Sequence, residues 1–345
     1  VERPEEEAVH PAEALDQIAT LLERGLAPTY KVQAFRRAAD SIRDRSIGEL
    51  RTLSESGRLK SLSGVGTSTS RVISEVLAGE TPEYLTNLEA EAAPDAGPGG
   101  EIRTALRGDL HSHSDWSDGG ATIEQMATAA RDLGHQYLAL TDHSPSLKVA
   151  RGLTAARLRK QLDVVVRLNE ELAPFRILTG AEIDILEDGS LDQDEELLAE
   201  LDVVVASVHS KLRMPEQPMT DRMVAAMANP HADILGHCTG RMVRGRGRPE
   251  STFDPDLVFG ACAHFDKAVE INCRPERLDP PMRLLEQVVA WGCKVSIDSD
   301  AHAMGQLEWQ PYGCARAAEA GVPVERIVNA WETAELLGWT ANHAA

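Results

Sequence analysis

Between residues 104 and 345 lie seven short apolar or β-branched runs, six of which break off at or beside a histidine or an acid. They lie around Leu106 to His111, Tyr137 to Thr141, Ile177 to Ile183, Val203 to His209, Ile234 to His237, Ala268 to Asn272 and Lys294 to Asp298. Amphipathic stretches separate them: Thr122 to Leu133, Thr154 to Leu172, Asp221 to Ala228, Pro255 to His264 and Pro281 to Trp291. Strand and helix patterns alternating in this way predict a parallel α/β fold, and about seven such units approach a barrel of the TIM type. In a parallel barrel every strand ends on one face, so the terminal side chains converge. His111 and His113 alternate along the first strand and share a face. With Asp118, His143, Glu182, His209, His237, Asp300 and His302 they make a candidate ligand set of imidazoles and carboxylates. His135, His231 and His264 lack this placement and read as core or capped histidines.

The residues before this region differ in kind. Leu15, Ile18, Leu21 and Leu22, then Val32, Phe35, Ala39 and Ile42, then Leu50 and Leu53, then Val72, Ile73, Val76 and Leu77 recur at helical spacing. Glu89 to Glu101 reads EAEAAPDAGPGGE, which has linker chemistry. The expected organisation is an all-α unit over 11–88, a linker over 89–103 and the α/β unit over 104–345.

Composition excludes several classes. There is no run of about 18 apolar residues, and the N-terminal residues are acidic where a signal peptide would be basic and then apolar, so no membrane association is expected. Five cysteines without a CxxC pair suit reduced thiols and a cytoplasmic location. A formal charge of -20 argues against coating nucleic acid by bulk electrostatics. Local contacts remain open: from Tyr30 to Arg71 the basic residues Lys31, Arg36, Arg37, Arg43, Arg45, Arg51, Arg58, Lys60 and Arg71 outnumber the acids Asp40, Asp44, Glu49 and Glu55.

His111-x-His113, Asp118, His143, Glu182, His209, His237 and Asp300-x-His302 resemble, in order and context, the nine-ligand pattern of the PHP (polymerase and histidinol phosphatase) family. Ser207-Val208-His209-Ser210, Leu235-Gly236-His237-x-Thr239-Gly240-Arg241 and Glu270-Ile271-Asn272 are most similar to the PHP domain of bacterial family X DNA polymerases, although Cys238 stands where proline is usual there. The resemblance implies a distorted (β/α)7 barrel holding three divalent ions (Mn, Zn or Fe). It places His111, His113, Glu182 and Asp300 on the first ion, Glu182, His209 and His237 on the second, and Asp118, His143 and His302 on the third. Such a cluster suits phosphoester hydrolysis, in which the cations acidify a water and neutralise phosphoryl charge. The resemblance implies Glu182 as the bridging catalytic carboxylate, and Arg241 and Arg277 are candidate phosphate clamps.

Lys60 to Thr67 (KSLSGVGT) resembles a helix-hairpin-helix turn, in which Gly64 and Gly66 would let backbone amides approach a phosphate. Pro28 to Ala39 resembles the N-terminal small domain of family X polymerases. Lys31, Arg36, Arg37, Gly64 and Gly66 are the expected DNA contacts, with gapped, nicked or 3'-ended DNA as partner. The linker is too short for a polymerase core, so nucleotide polymerisation is not expected. The lysine of lyase-active members has no counterpart in Thr67 to Ile73. The expected activity is 3'-5' exonuclease or 3'-phosphatase action in DNA repair. The alternatives are a small-molecule phosphatase of histidinol-phosphate type and a DNA-binding scaffold with a structural metal site.

Overall fold

A computed structural model describes residues 9–91 and 97–343. The chain divides into two compact units between residues 93 and 94. In the first, α1 (Pro11–Arg24), α2 (Thr29–Ile42), α3 (Ile47–Glu55), α4 (Thr67–Leu77) and α5 (Glu83–Ala90) pack around one core. Leu15, Ile18, Phe35, Ile42, Leu50, Val72 and Ile73 are buried there, as their helical spacing predicts. Each such side chain contributes roughly 1.5–3 kcal/mol on burial. The unit therefore has its own hydrophobic driving force.

The second unit is a seven-stranded parallel sheet in sequential order: β1 (Gly108–Asp109), β2 (Tyr137–Leu140), β3 (Arg176–Asp184), β4 (Val203–Ser207), β5 (Ile234–Leu235), β6 (Ala268–Asn272) and β7 (Lys294–Asp298). Around it lie α6 (Gly100–Ala105), α7 (Ile123–Asp132), α8 (Ala155–Leu172), the single turn α9 (Glu195–Leu198), α10 (Glu216–Met227), α11 (Pro255–His264), α12 (Met282–Ala290), α13 (Gln310–Glu319) and α14 (Thr333–His343). The sheet curls until its first and last strands approach, leaving a nearly closed barrel. Side chains complete this seam. Leu110 N donates to Asp298 Oδ1 at 2.9 Å, and Ser299 N donates to the Asp109 carboxylate. Farther along, the buried Asn329 side chain donates to Gly108 O and Ile297 O and accepts from Ile297 N, while Gln310 Nε2 donates to the same two carbonyls. At the C-terminal end Ser112 bridges Ala301, and His113 N donates to Ala301 O at 2.8 Å.

Two expectations shift. Residues 97–103, read as linker, belong to the barrel unit: α6 packs there, and a Cβ on Gly99 would fall 2.3 Å from the Cys314 backbone. The linker's central residues 92–96 lie outside the described residues. Helix α10 starts five residues earlier than its apolar pattern suggested, because Pro218 sits in the first turn, where a missing N–H costs nothing. All five cysteines are free and buried. Among the described residues no helix is long and apolar enough to cross a membrane.

Candidate metal centre

Each candidate ligand is delivered by a strand end or the loop after it. His111 and His113 follow β1, His143 follows β2, Glu182 lies within β3, and His209 and His237 follow β4 and β5. Asp300 and His302 come just beyond β7. Gly236 permits the last β5 turn, since a Cβ there would lie 2.2 Å from Ser207 Oγ. The nine residues expected from sequence all come together.

Glu182 is the hub. Its Oε1 lies 2.9 Å from His237 Nε2 and 3.2 Å from His209 Nε2. Its Oε2 lies 2.8 Å from His143 Nδ1, 3.4 Å from His111 Nε2 and 3.6 Å from His113 Nε2. Around this hub, His113 Nε2 is 3.5 Å from Asp300 Oδ1, while Asp118 Oδ1 is 3.5 Å from His143 Nε2 and 3.4 Å from His302 Nε2. Two donors held about 2.1 Å from one ion at a tetrahedral angle stand about 3.4 Å apart, which is the spacing of the contacts made by His111, His113, Asp300, Asp118 and His302, while His143 and His237 approach Glu182 at hydrogen-bond distance. The orphaned atoms agree: His111 Nε2, both ring nitrogens of His113 and His237 Nδ1 are buried without a hydrogen-bond partner. Buried polar atoms left so are rare unless something else satisfies them.

Three groupings bring their donor atoms within 4.8 Å: His113 with Asp118, His143 and His302; His111 with His113 and Glu182; and His143 with Glu182 and His209. His113, His143 and Glu182 each stand in two of them, and Asp300 and His237 stand in none. The groupings therefore differ from the partition implied by the family resemblance, which shares only Glu182 and sets Asp300 on the first ion and His237 on the second.

Electrostatics favour ionised carboxylates. Burial pushes Glu182 up, but His209, His111 and His143 together hold it well below the usual carboxylate range. Burial likewise opposes ionisation of Asp300, and Arg274 and His111 outweigh it. Asp118 is drawn down against burial by its contact with His302.

Behind the candidate ligands stands a layer of carboxylates that sequence reasoning passed over. Glu270 Oε1 lies 2.5 Å from His111 Nδ1, and its Oε2 accepts from His237 N. Asp184 Oδ1 meets His209 Nδ1. A carboxylate on the far ring nitrogen fixes the tautomer and orientation of a ligating imidazole. The available signal was strand alternation: Asp184 shares a face with Glu182, and Glu270 shares one with Asn272. Asn272 faces the site, donating to Asp300 Oδ2 at 3.1 Å and to Glu270 Oε2 at 3.2 Å. Asp300 itself has φ +52, and Arg274 Nη1 steadies it by donating to its carbonyl. Asp142 anchors the 114–117 loop through Ser114 N, Ser114 Oγ and Ser117 Oγ.

Of the two candidate clamps, Arg241 is otherwise engaged. Its guanidinium donates to the carbonyls of Arg277 and Leu278 and pairs with Glu250, so it braces a loop instead of facing the site. Arg277 does face it: Nε lies 3.4 Å from Asp300 Oδ2, and Nε and Nη1 are buried without a hydrogen-bond partner. His135, His231 and His264 join none of the groupings.

In the helical unit, Gly64 has φ +78 and its α-carbon lies against the Arg37 backbone, where a Cβ would come within 3.1 Å of Arg37 O. Gly66 caps α4, with its N–H donating to Thr69 Oγ1 at 2.8 Å. Lys31 and Arg37 are exposed. Arg36 departs from expectation. Its guanidinium is closed in contacts with Asp16, Thr20 and Glu23 of α1, which leaves it a brace between helices.

The PHP domain family matches residues 109–272, and a helix-hairpin-helix domain matches residues 8–82. The chain is 41% identical to the DNA polymerase/3'-5' exonuclease PolX of Bacillus subtilis (strain 168) over 65% of its own length but only 39% of that protein's. It is 31% identical to a protein of Thermoanaerobacter sp. (strain X514), named a probable phosphatase, over 64% of this chain and 89% of that one. Among solved structures, a histidinol phosphate phosphatase of Lactococcus lactis superposes with a TM-score of 0.44 at 18% identity, covering 63% of this chain and 94% of that one. The chain belongs to the PHP family of phosphoesterases, with a helix-hairpin-helix unit ahead of its PHP domain.

Proposed function

We propose that the protein is a metal-dependent hydrolase of phosphoesters at DNA ends, acting as a 3'-5' exonuclease, a 3'-phosphatase or both. The observation that carries the hydrolytic part is the buried Glu182 carboxylate ringed by His111, His113, His143, His209 and His237, with orphaned imidazole nitrogens around it. These residues, with Asp118, Asp300 and His302, would hold up to three divalent ions of the Mn, Zn or Fe type. Bound there, such ions supply the Lewis acidity that lowers the pKa of water and neutralises phosphoryl oxygens.

The chain's own groups supply the rest. Glu270 and Asp184 hold His111 and His209 in the tautomers that leave Nε2 free toward Glu182. Arg277 stands beside Asp300 with Nε and Nη1 buried and without hydrogen-bond partners, which leaves its guanidinium available to a phosphate oxygen. Asp118, the most exposed member at 37%, stands where substrate would enter.

The helix-hairpin-helix unit supports DNA as the substrate, through Gly64, Gly66, Lys31 and Arg37. The likeness to a protein named a probable phosphatase favours one rival, a small-molecule phosphatase. Turnover of a 3'-phosphorylated and a 3'-hydroxyl oligonucleotide, compared with histidinol phosphate in the presence of Mn, decides between them. Preference for the oligonucleotides is expected. Preference for histidinol phosphate would overturn the DNA-end reading while leaving phosphoester hydrolysis in place.

A further inference from the structure

The loop that leaves β5 carries four arginines, Arg241, Arg244, Arg246 and Arg248, with no acid among residues 240–249. That is unusual in a chain with a formal charge of -20. The loop is an ordered hairpin. Met242 and Arg248 pair antiparallel, each N–H donating to the other's carbonyl at 2.9 Å, and Gly245 and Gly247 take φ +72 and +67 at the turn.

Its stem is fastened beside the metal centre. Val243 N donates to Glu276 O at 2.6 Å, Arg241 to the carbonyls of Arg277 and Leu278, and Arg248 Nε to Gly240 O at 2.5 Å. Arg244 and Arg246, by contrast, are exposed, and neither has an ion pair among the described residues. Arg277 links the hairpin to the centre: its Nε lies 3.4 Å from Asp300 Oδ2, and its carbonyl accepts from Arg241 Nε at 3.0 Å. Positive charge therefore runs from the edge of the metal centre out to the hairpin tip. A single phosphate group occupies only the inner end of such a track. Arginines spaced along an exposed ribbon match a chain of phosphates instead.

We propose that the 241–248 hairpin, through Arg244 and Arg246, grips the phosphodiester backbone of the strand whose end is presented to the metal centre. The ligand class is a polyphosphodiester, and the contact is separate from any made by the helical unit. This proposal rests on the phosphoesterase reading for what happens at the inner end of the track, but not for the binding itself.

The test compares full-length wild type with Arg244→Ser/Arg246→Ser, using a single-stranded DNA tetranucleotide and bis-p-nitrophenyl phosphate as substrates and fluorescence anisotropy of a labelled oligonucleotide as a second readout. Both proteins keep the same N-terminal unit, so the difference isolates the hairpin. The expected result is a KM for the tetranucleotide raised about 10-fold with kcat unchanged, and both constants for bis-p-nitrophenyl phosphate unchanged. The slope of log affinity against log salt should become shallower by about 1.4, as for two lost contacts to a single strand. Arg244→Lys/Arg246→Lys should restore most of the slope. Unchanged KM and slope would overturn the proposal, and so would an equal fall on both substrates, which would signal damage to the centre itself. Wild type inactive on either substrate but with an arginine-dependent slope would sink the hydrolytic reading and leave the hairpin standing.

Discussion

Glu182 shows how much one side chain can carry. Five imidazoles approach its two oxygens, so neutralising it removes the charge that would hold shared cations together. Glu182→Gln is expected to lower kcat on any phosphoester on the order of 10³-fold or more, with circular dichroism unchanged; near-normal turnover would refute its role as hub. Asp184→Asn should act more gently, weakening Mn affinity by about 10–100-fold in chelator competition, because it only frees the His209 ring to turn. His135 makes a different prediction, one about pH. Burial, and then the charge of Arg103, depresses it to about 4 from the ordinary 6.5. The unfolded chain therefore takes up a proton below about 6.5 that the folded chain refuses until about 4. The stabilisation is complete above 6.5 and is lost as pH falls toward 4, by roughly 3 kcal/mol at 1.4 kcal/mol per unit. Urea midpoints of His135→Gln should fall less steeply than wild type across that window, and parallel profiles would exclude His135 as the cause.

The seam between β1 and β7 belongs to the scale of elements. Two short strand ends meet there through Asn329 and Gln310 side chains, with little backbone ladder between them. Asn329→Leu would strip partners from Gly108 O, Ile297 O and Ile297 N at once, and is expected to cost about 3 kcal/mol in urea unfolding. A cost under about 1 kcal/mol would mean that water or the remaining Gln310 suffices. The seam also marks the limit of what sequence could reveal. Strands β2 to β7 were legible as short apolar runs between amphipathic stretches, and the ligand set was legible because its members lie near the ends of such runs or in the loops after them. Asn329 and Gln310 are lone amides in no pattern, and α13 is built on close approach, with Gly313 against Cys273 and Ile297. The carboxylates Asp184 and Glu270 were hidden for another reason: a residue that positions a histidine needs only to share its strand face, and alternation places many acids that way.

At the scale of the whole molecule, the two units keep separate cores: Leu15, Phe35 and Ile73 lie in one, while Tyr137, Val205 and Ile234 lie in the other. All nine candidate ligands fall in the second unit, and the basic stretch from Lys31 to Arg71 falls in the first. Removing residues 1–95 should therefore leave hydrolysis of bis-p-nitrophenyl phosphate within about twofold while weakening binding to nicked or gapped DNA. Lys31 and Arg37 would neutralise about two phosphates, while the amides of the Gly64 to Gly66 turn neutralise none, so this face should contribute about -2 to the log–log salt slope for duplex DNA. Substitutions sort the contributors. Lys31→Glu/Arg37→Glu should lower both affinity and slope, because both side chains are exposed. Arg36→Glu should instead destabilise the helical unit, because it sets a carboxylate against Asp16 and Glu23, where a guanidinium now joins α1 to α2. If Arg36→Glu left thermal unfolding of that unit unchanged and lowered the salt slope as much as Arg37→Glu, Arg36 would be a DNA contact after all and the brace between α1 and α2 would carry no weight.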